Sequence, residues 1–333
     1  MVSPAHTVKV DPAQRIAVIS DMHIGDGSRA EPFQNKDVEL RRFLATVSDE
    51  FDALVIAGDG FDLAQGWSIR RIRRAHAALF DDLIELSRSL PVYYLQGNHD
   101  GSAETLGAEL PFIYSRRLMV GEGIVIEHGN ASDPKNLPGD DGAFWGARVH
   151  AHIEKVIGSP VRIPMRKHYR WSTRLGHWLF FRYGTHMRHR ASVYRVVGLD
   201  ERARRCVAFL DYWGRGEWGD IHGLLEPARQ RLRDTSIETL IWGHAHQAGL
   251  LEFDGGTYVN TGSWTYDDTS YVVLDHGRAS VHDWRNSATI DDGEYRGVLG
   301  PQGDMSFFDW WERYYLGWFR YDVAAMERDA HGL

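Results

Sequence analysis

Five short apolar runs in this chain stop abruptly at Asp, Asn or His. RIAVIS runs into Asp21-Met22-His23, ALVIAG into Asp59, VYYLQG into Asn98-His99-Asp100, GIVIE into His128, and TLIWG into His244-Ala245-His246. Runs this short and this rich in β-branched residues predict strands buried on both faces. Helical spacing separates the first three. Val38, Leu40, Phe43, Leu44 and Val47 predict one helix. Ile69, Ile72, Leu79, Phe80, Leu83, Ile84, Leu86 and Leu90 predict a second over about 69–90, stopped by Pro91. RLMVGEGIVIEHG (117–129) reads as a hairpin turning at Gly121–Gly123, and the stretch from Gly249 to Trp284 as a β-meander. Strands alternating with helices are an α/β signature, and in such sheets ligand sites gather outside the carboxyl ends of strands.

The distance from His128 to His244 is too long for a connecting loop. It predicts a discontinuous core over 1–130 and 236–302, an inserted, mainly helical cap over 131–235, and an aromatic-rich C-terminal helix over 303–333. The chain has 333 residues and a net charge of −8. The acidic balance argues against a general nucleic-acid binder, which must neutralise phosphates. A single cysteine, Cys206, excludes an internal disulfide framework. No signal-type apolar core opens the sequence, and no apolar run reaches the roughly 18 residues that span a bilayer. The expectation is a cytoplasmic protein whose contact with membranes is confined to its surface.

The run-ending residues form a chemical set: Asp21, His23, Asp59, Asn98, His99, His128, His244 and His246. Carboxylate, imidazole and amide oxygen suit Mn²⁺, Fe²⁺ or Zn²⁺. Two ions held close together need a shared ligand, and Asp59 can bridge with one oxygen facing each ion. Taken singly, each residue also has an ordinary reading. Asp21 and His23 read equally as a strand-end cap, Asp59 and Asn98 as turn residues, and His128 as a core histidine.

Taken together, DMH, GDGFD, GNHD, HG and GHAH resemble the calcineurin-like metallophosphoesterase superfamily over roughly residues 15–130 and 236–285. The resemblance implies a two-sheet β-sandwich flanked by helices, with a dinuclear centre at one edge. It implies Asp21, His23 and His246 at the first metal, Asn98, His128 and His244 at the second, and Asp59 between them. It also implies metal-bound hydroxide as nucleophile, and His99 facing the substrate phosphate, oriented by Asp100. Asn130 stands where some branches carry Asp or His after the HG pair, which makes it a candidate to face the substrate or to support a ligand; a turn asparagine after a strand is the plainer reading.

Three features bear on the substrate. SIRRIRRAH (68–76) places Arg70, Arg71 and Arg74 near a helix start, where guanidinium forks suit phosphate oxygens; a solvated face is the plainer reading. Residues 131–195 hold 12 Lys+Arg and six His against four Asp+Glu, which fits a lid over an anionic substrate or a basic solvated helix pair. SFFDWWERYYLGWFRY (306–321) has Phe307, Trp311, Tyr314, Tyr315, Trp318 and Phe319 at helical spacing, fitting a docked helix, an oligomer contact or an interfacial anchor. A basic, aromatic insertion between HG and GHAH is similar to the UDP-2,3-diacylglucosamine pyrophosphatase-like branch. That branch typically carries Arg where this chain has His99, and HGD where this chain has HGN. The resemblance implies hydrolysis of a phosphoric ester or diphosphate in a nucleotide-sugar or lipid-linked substrate, with Mn²⁺ the favoured ion. A phosphodiesterase or phosphatase acting on a soluble nucleotide or phosphoprotein is the alternative, and a non-catalytic scaffold with the same fold is another.

Overall fold

The computed structural model describes residues 7–34, 36–132, 151–156, 182, 186–206, 224–246, 248–253, 255–266 and 268–290. The chain divides into two compact units, Met1–Pro160 with Glu226–Glu294, and Val161–Leu225 with Tyr295–Leu333. The aromatic segment 306–321 and most of the insertion lie outside the described residues.

The first unit holds two sheets. The strands are β1 (Val8–Val10), β2 (Arg15–Ile19), β3 (Ala53–Ile56), β4 (Val92–Leu95), β5 (Ile113–Ser115), β6 (Leu118–Val120), β7 (Ile124–Glu127), β8 (Thr239–Trp242), β9 (Gly249–Phe253), β10 (Gly256–Asn260), β11 (Ser270–Asp275), β12 (Arg278–Asp283) and β13 (Ala288–Thr289). One sheet has the order β1-β6-β7-β8-β10-β9 and the other β13-β12-β11-β2-β3-β4-β5. The helices are α1 (Asp37–Glu50), α2 (Leu63–Gly66), α3 (Ile69–Ala75), α4 (Ala77–Ser89), α5 (Ala103–Gly107) and α6 (Leu225–Asp234). This is the mixed, two-sheet, helix-flanked fold that the motifs imply.

The strands are continuously apolar because both their faces are covered. Ala17, Ile19, Leu54, Ile56, Val92 and Tyr94 point into a core with Leu40, Phe43, Leu44 and Val47 of α1 and Leu79, Phe80 and Leu83 of α4. Their neighbours Ile16, Val18, Ala53, Val55, Tyr93 and Leu95 point the other way, against Ile126, Ile241 and Val259 of the second sheet. Each fully buried aliphatic side chain contributes roughly 1.5–3 kcal/mol. A one-residue register slip exchanges the two faces and loses both sets of contacts. The parallel register Ile16↔Ala53 and Val18↔Val55 is fixed this way, and with it the alignment of the strand ends.

Three local readings change. Val38 is exposed, so the buried stripe of α1 begins at Leu40. The meander is two pieces: β9 and β10 pair in one sheet, whereas β11, β12 and β13 pair in the other. The buried segment Thr261, Gly262, Ser263 and Trp264 lies between the two pieces. The long helix is broken at His76, which ends α3 and opens α4 with φ −121° and ψ 41°. The cause is electrostatic. His76 is buried, with Nδ1 2.7 Å from Asp37 and Nε2 3.1 Å from Glu31. Glu31 in turn accepts from the backbone N–H groups of Gly25 and Gly27, at 2.8 and 2.6 Å, in the loop following His23.

In the second unit, residues 186–196 and 200–206 are helical, and Ala191, Ala203 and Cys206 pack with Met187 and Tyr194. No helix among the described residues is long and apolar enough to cross a membrane.

Burial disfavours the charged His76 ring, but Asp37 and Glu31 outweigh it and hold its pKa at about 9, above the ordinary 6.5. A pKa raised by folding means that the interaction is fully present below pH 6.5 and is lost as pH climbs through 9. The stability difference between the wild type and His76→Gln is therefore expected to be largest near pH 6 and to shrink steadily to pH 9.5. Urea denaturation at a series of pH values measures it, and a difference independent of pH would sink the assignment.

Candidate metal centre

All the expected metal ligands come together at the carboxyl ends of β2, β3, β4, β7 and β8. Five of them bend sharply as they leave the sheet. Asp21, His23, Asp59, His244 and His246 have φ of 51°, 47°, 51°, 61° and 55°. Non-glycine residues rarely adopt this left-handed region, and such strain collects at functional sites. The surrounding hydrogen bonds hold the bends. Asp21 N donates to Gly58 O at 3.0 Å, His23 N to Asp59 O at 2.9 Å, and Trp264 N to Asp21 O at 3.1 Å.

Two imidazole groupings result. The His23 ring lies 4.7 Å from His99 and 5.1 Å from His246, centroid to centroid, and His128 lies 5.2 Å from His244. Three triads of donor atoms each lie within 4.8 Å of one another: Asp21-His23-His246, His23-Asp59-His99 and Asp59-His128-His244. Asn98 Oδ1 sits 3.1 Å from His128 Nε2.

The carboxylate oxygens divide their work. Asp21 Oδ2 accepts from Ser20 Oγ and from His244 N, the latter at 2.9 Å. Asp21 Oδ1 has no hydrogen-bond partner and faces His246 Nε2 at 3.1 Å. Asp59 Oδ1 accepts from His99 N at 2.8 Å. Asp59 Oδ2 faces His128 Nε2 at 3.2 Å and His23 Nε2 at 3.8 Å. One oxygen of Asp59, rather than one on each side, therefore lies between the two groupings.

This arrangement fits cations. The His128 Nδ1 lies 2.9 Å from the Ala57 carbonyl, which only accepts, so Nδ1 carries a proton. Its Nε2 then meets two oxygens, those of Asp59 and Asn98. Burial opposes a charge on His128, yet Asp59 and Asp21 outweigh it and raise its pKa to about 10. Burial depresses His23 to about 4, leaving a neutral ring that offers a lone pair. Burial by itself would raise Asp59, but the imidazoles of His128 and His99 keep it well below the usual carboxylate range. Carboxylates that hold a proton on His128 beside the neutral His23 ring make an oxygen and imidazole set where a divalent ion would replace that proton.

Asp100 and Asp62 depart from the expected roles. Asp100 is buried and turned inward, accepting from Asp59 N at 2.8 Å, Gly97 N at 2.7 Å, Phe61 N at 3.2 Å and the Tyr94 hydroxyl. It anchors the two ligand loops. The carboxylate at the His99 ring belongs to Asp62, whose Oδ1 is 3.3 Å from Nδ1. Its Oδ2 is 3.5 Å from His23 Nδ1, and Oδ1 also caps α2 through Gln65 N at 2.9 Å. The signal for Asp62 was present: an N-cap residue three positions after Asp59.

Ser20 and the segment Asn260-Thr261-Gly262 are further missed contributors. Ser20 Oγ is 2.5 Å from Thr261 Oγ1, and Asn260 Nδ2 donates to Gly243 O at 2.8 Å beneath His244. Only the buried placement of these small polar residues reveals them. The arginines of α3 face carboxylates or solvent. Arg70 and Arg73 meet Glu109 at 3.3 and 2.7 Å, Arg71 meets Asp26 at 3.2 Å, and Arg74 is exposed. Glu109 and Asp26 thus pair with three of these four arginines. Asn130 opens a single 3₁₀ turn, Asn130–Ser132.

Glycine at the strand ends makes room for the ligands. A Cβ on Gly97 would lie 2.2 Å from Asp59 Oδ1 and 2.5 Å from Asp59 N, and one on Gly243 would lie 2.5 Å from Asp21 Oδ2. Gly97→Ala is expected to displace Asp59 and lower bound metal at least tenfold while the far-ultraviolet circular dichroism stays native. Asp100→Ala, which orphans three buried N–H groups, is expected to cost about 3 kcal/mol or more of stability. Metal analysis and urea melts read both, and native metal content in Gly97→Ala would contradict the steric reading.

The calcineurin-like phosphoesterase family model matches residues 14–248, more than half the chain. No curated protein matches. Among solved structures, the chain is similar to Yfce, a phosphoesterase from E. coli, at 14% identity and a TM-score of 0.39, over 83% of this chain and 96% of that one. It is also similar to a dimetal phosphatase from Danio rerio, at 14% identity and a TM-score of 0.40, over 84% of this chain and 99% of that one. A nuclease from Pseudomonas putida is 23% identical over 34% of this chain and 53% of its own, with a TM-score of 0.26. The family match, which spans all five ligand-bearing strand ends, makes this chain a member of the calcineurin-like phosphoesterase family, and thus a metallophosphoesterase.

Proposed function

We propose that the chain hydrolyses a phosphoric ester or diphosphate bond at a centre of two divalent ions. Asp21, His23 and His246 hold one, Asn98, His128 and His244 the other, and Asp59 Oδ2 lies between them. The observation that carries this reading is the position of Asp59 Oδ2 between the triad Asp21-His23-His246 and the pair His128-His244, 3.8 Å from His23 Nε2 and 3.2 Å from His128 Nε2. Ions bound there supply Lewis acidity, acidifying a water and drawing charge from the phosphoryl oxygens. The donor set is oxygen and imidazole with no thiolate, which favours Mn²⁺, with Fe²⁺ or Zn²⁺ as substitutes.

The chain's own residues do the rest. Asp62 fixes the His99 ring through Nδ1, so that Nε2 is the atom that meets the phosphoryl group. From there the ring donates to the departing oxygen or stabilises its charge. Asp100 keeps Asp59 and Asn98 in register from behind.

For the substrate, the proposal is a nucleotide-sugar or lipid-linked diphosphate, as in the UDP-2,3-diacylglucosamine pyrophosphatase-like branch. What supports an apolar component is the second unit. Val193, Val196 and Val197 are 59%, 87% and 59% exposed and recur at helical spacing, away from buried Ala191. Exposed Arg188, Arg190 and Arg195 occur along the same stretch. That combination suits an interface with anionic headgroups and supports a proposed contact with a membrane surface on the cytoplasmic side. Arg70, Arg71, Arg74 and Asn130 remain candidates for substrate contact, and the aromatic tail for an oligomer contact. A soluble nucleotide or phosphoprotein substrate is the competing reading; a metal-free scaffold is the non-enzymatic one.

Purified protein is expected to carry two transition-metal ions per chain and to lose activity to a chelator, with Mn²⁺ restoring it. Asp59→Ala should lose more metal than any other single change. His99→Ala should keep both ions while turnover falls by a factor of about 10²–10⁴. Loss of metal in His99→Ala with turnover per ion unchanged would make it a ligand instead. Relative rates on bis(p-nitrophenyl) phosphate and p-nitrophenyl phosphate separate diesterase from monoesterase. Absence of both metal and metal-dependent hydrolysis would end the enzymatic reading.

A further inference from the structure

Among the described residues, Lys155 joins the insertion to two of the metal loops. Residues 151–156 are helical and belong to the first unit, and Ala151 and Glu154 are buried. From this turn Lys155 Nζ donates to Asp26 Oδ2 at 2.8 Å and to the backbone carbonyl of Gln65. Asp26 follows His23 in the loop leaving β2, and its side chain is only 2% exposed. Gln65 lies in α2, the turn following Asp59. The two ligand-bearing loops are thus gripped by one ammonium group that arrives from between His128 and His244 in sequence.

The grip continues inward. Gln65 presents its carbonyl to Lys155 and its N–H to Asp62 Oδ1, at 2.9 Å. Asp62 holds the Nδ1 atoms of His99 and His23, at 3.3 and 3.5 Å. A second bond from Gln65 Nε2 to Ser28 Oγ, at 3.4 Å, ties α2 back to the Asp26 loop. Both Lys155 contacts fall on the loops of His23 and Asp59, not on those of Asn98, His128 or His244.

We propose that Lys155 is a positioning residue through which the insertion becomes part of the metal cradle, setting the His23 and His99 rings by way of Gln65 and Asp62. It is not placed to serve overall stability alone. Arg71 lies 3.2 Å from the same Asp26 oxygen, so the carboxylate keeps a cation when Lys155 is lost. An orphaned buried charge, the usual reason that breaking such a pair unfolds a protein, does not arise. What is lost is the tether to α2 and the orientation it transmits; groups that orient metal ligands from behind typically change affinity 10- to 100-fold.

The inference rests on the two-ion reading, and the test separates the two. Full-length wild type, Lys155→Met, Lys155→Arg and Asp26→Asn are titrated with Co²⁺ after chelator treatment, recording the visible absorption of the bound ion and the melting temperature. Lys155→Met is expected to bind one equivalent about tenfold more weakly, with an altered absorption envelope, and to leave the other equivalent and the melting temperature close to wild type. Lys155→Arg should restore the wild-type spectrum. Identical affinity and spectrum in Lys155→Met would overturn the proposal. So would equal weakening of both equivalents in step with a lowered melting temperature, which marks a merely structural pair. A wild type that binds a single equivalent would remove the two-ion reading, while the Lys155→Met comparison on that one ion still decides the role of Lys155.

Discussion

The carboxylates of Asp21, Asp59, Asp62 and Asp100 are each at most 1% exposed and lie along one edge of the sheets. Burying even one ionised carboxylate costs several kcal/mol unless hydrogen bonds and opposite charge compensate it. The surrounding structure reads as the means of meeting that cost. Asp100 is satisfied by backbone N–H groups and Tyr94, Asp62 by Gln65 N and two imidazoles, and one oxygen each of Asp21 and Asp59 by neighbouring loops. The oxygens left over, Asp21 Oδ1 and Asp59 Oδ2, face histidine nitrogens. Those two atoms are where the protein's own groups run out and a cation completes the balance.

This explains why the ligands sit where the polypeptide bends hardest. A strand end supplies a rigid origin, set by two-sided burial, and the left-handed residue swings the side chain into the cluster. The strain of five such residues, of order 1–3 kcal/mol each, is tolerated because the sheets on both sides over-determine their positions. The glycines at 97 and 243 belong to the same solution: carboxylates pressed this close to the backbone leave no room for a methyl group.

Much of this was legible in the chain itself, for a physical reason. Strands covered on both faces must be apolar without interruption, so RIAVIS, ALVIAG and VYYLQG announce themselves, and the first polar residue after each marks the sheet edge. What stayed hidden depends on side-chain direction. Whether Asp100 or Asp62 turns toward His99 is decided by which backbone N–H groups lie within reach. The break at His76 follows from Glu31, which is remote in sequence and shows no periodicity. Asn260 and Thr261 read as ordinary turn residues until β10 is set beside β8, beneath His244. The arginines of α3 were legible as a cluster, but not the carboxylates that answer them.

Strands β7 and β8 are paired in parallel, Ile126 against Ile241, although about a hundred residues separate them in sequence. Closing a loop is only weakly sensitive to its length: a tenfold longer excursion adds about 2 kcal/mol. Evolution can therefore exchange what lies between these strands at small thermodynamic cost, provided that both ends return to adjacent positions in the sheet. The burden falls on time instead. A pairing this distant along the chain raises the mean sequence separation of contacts, and folding slows as that separation grows.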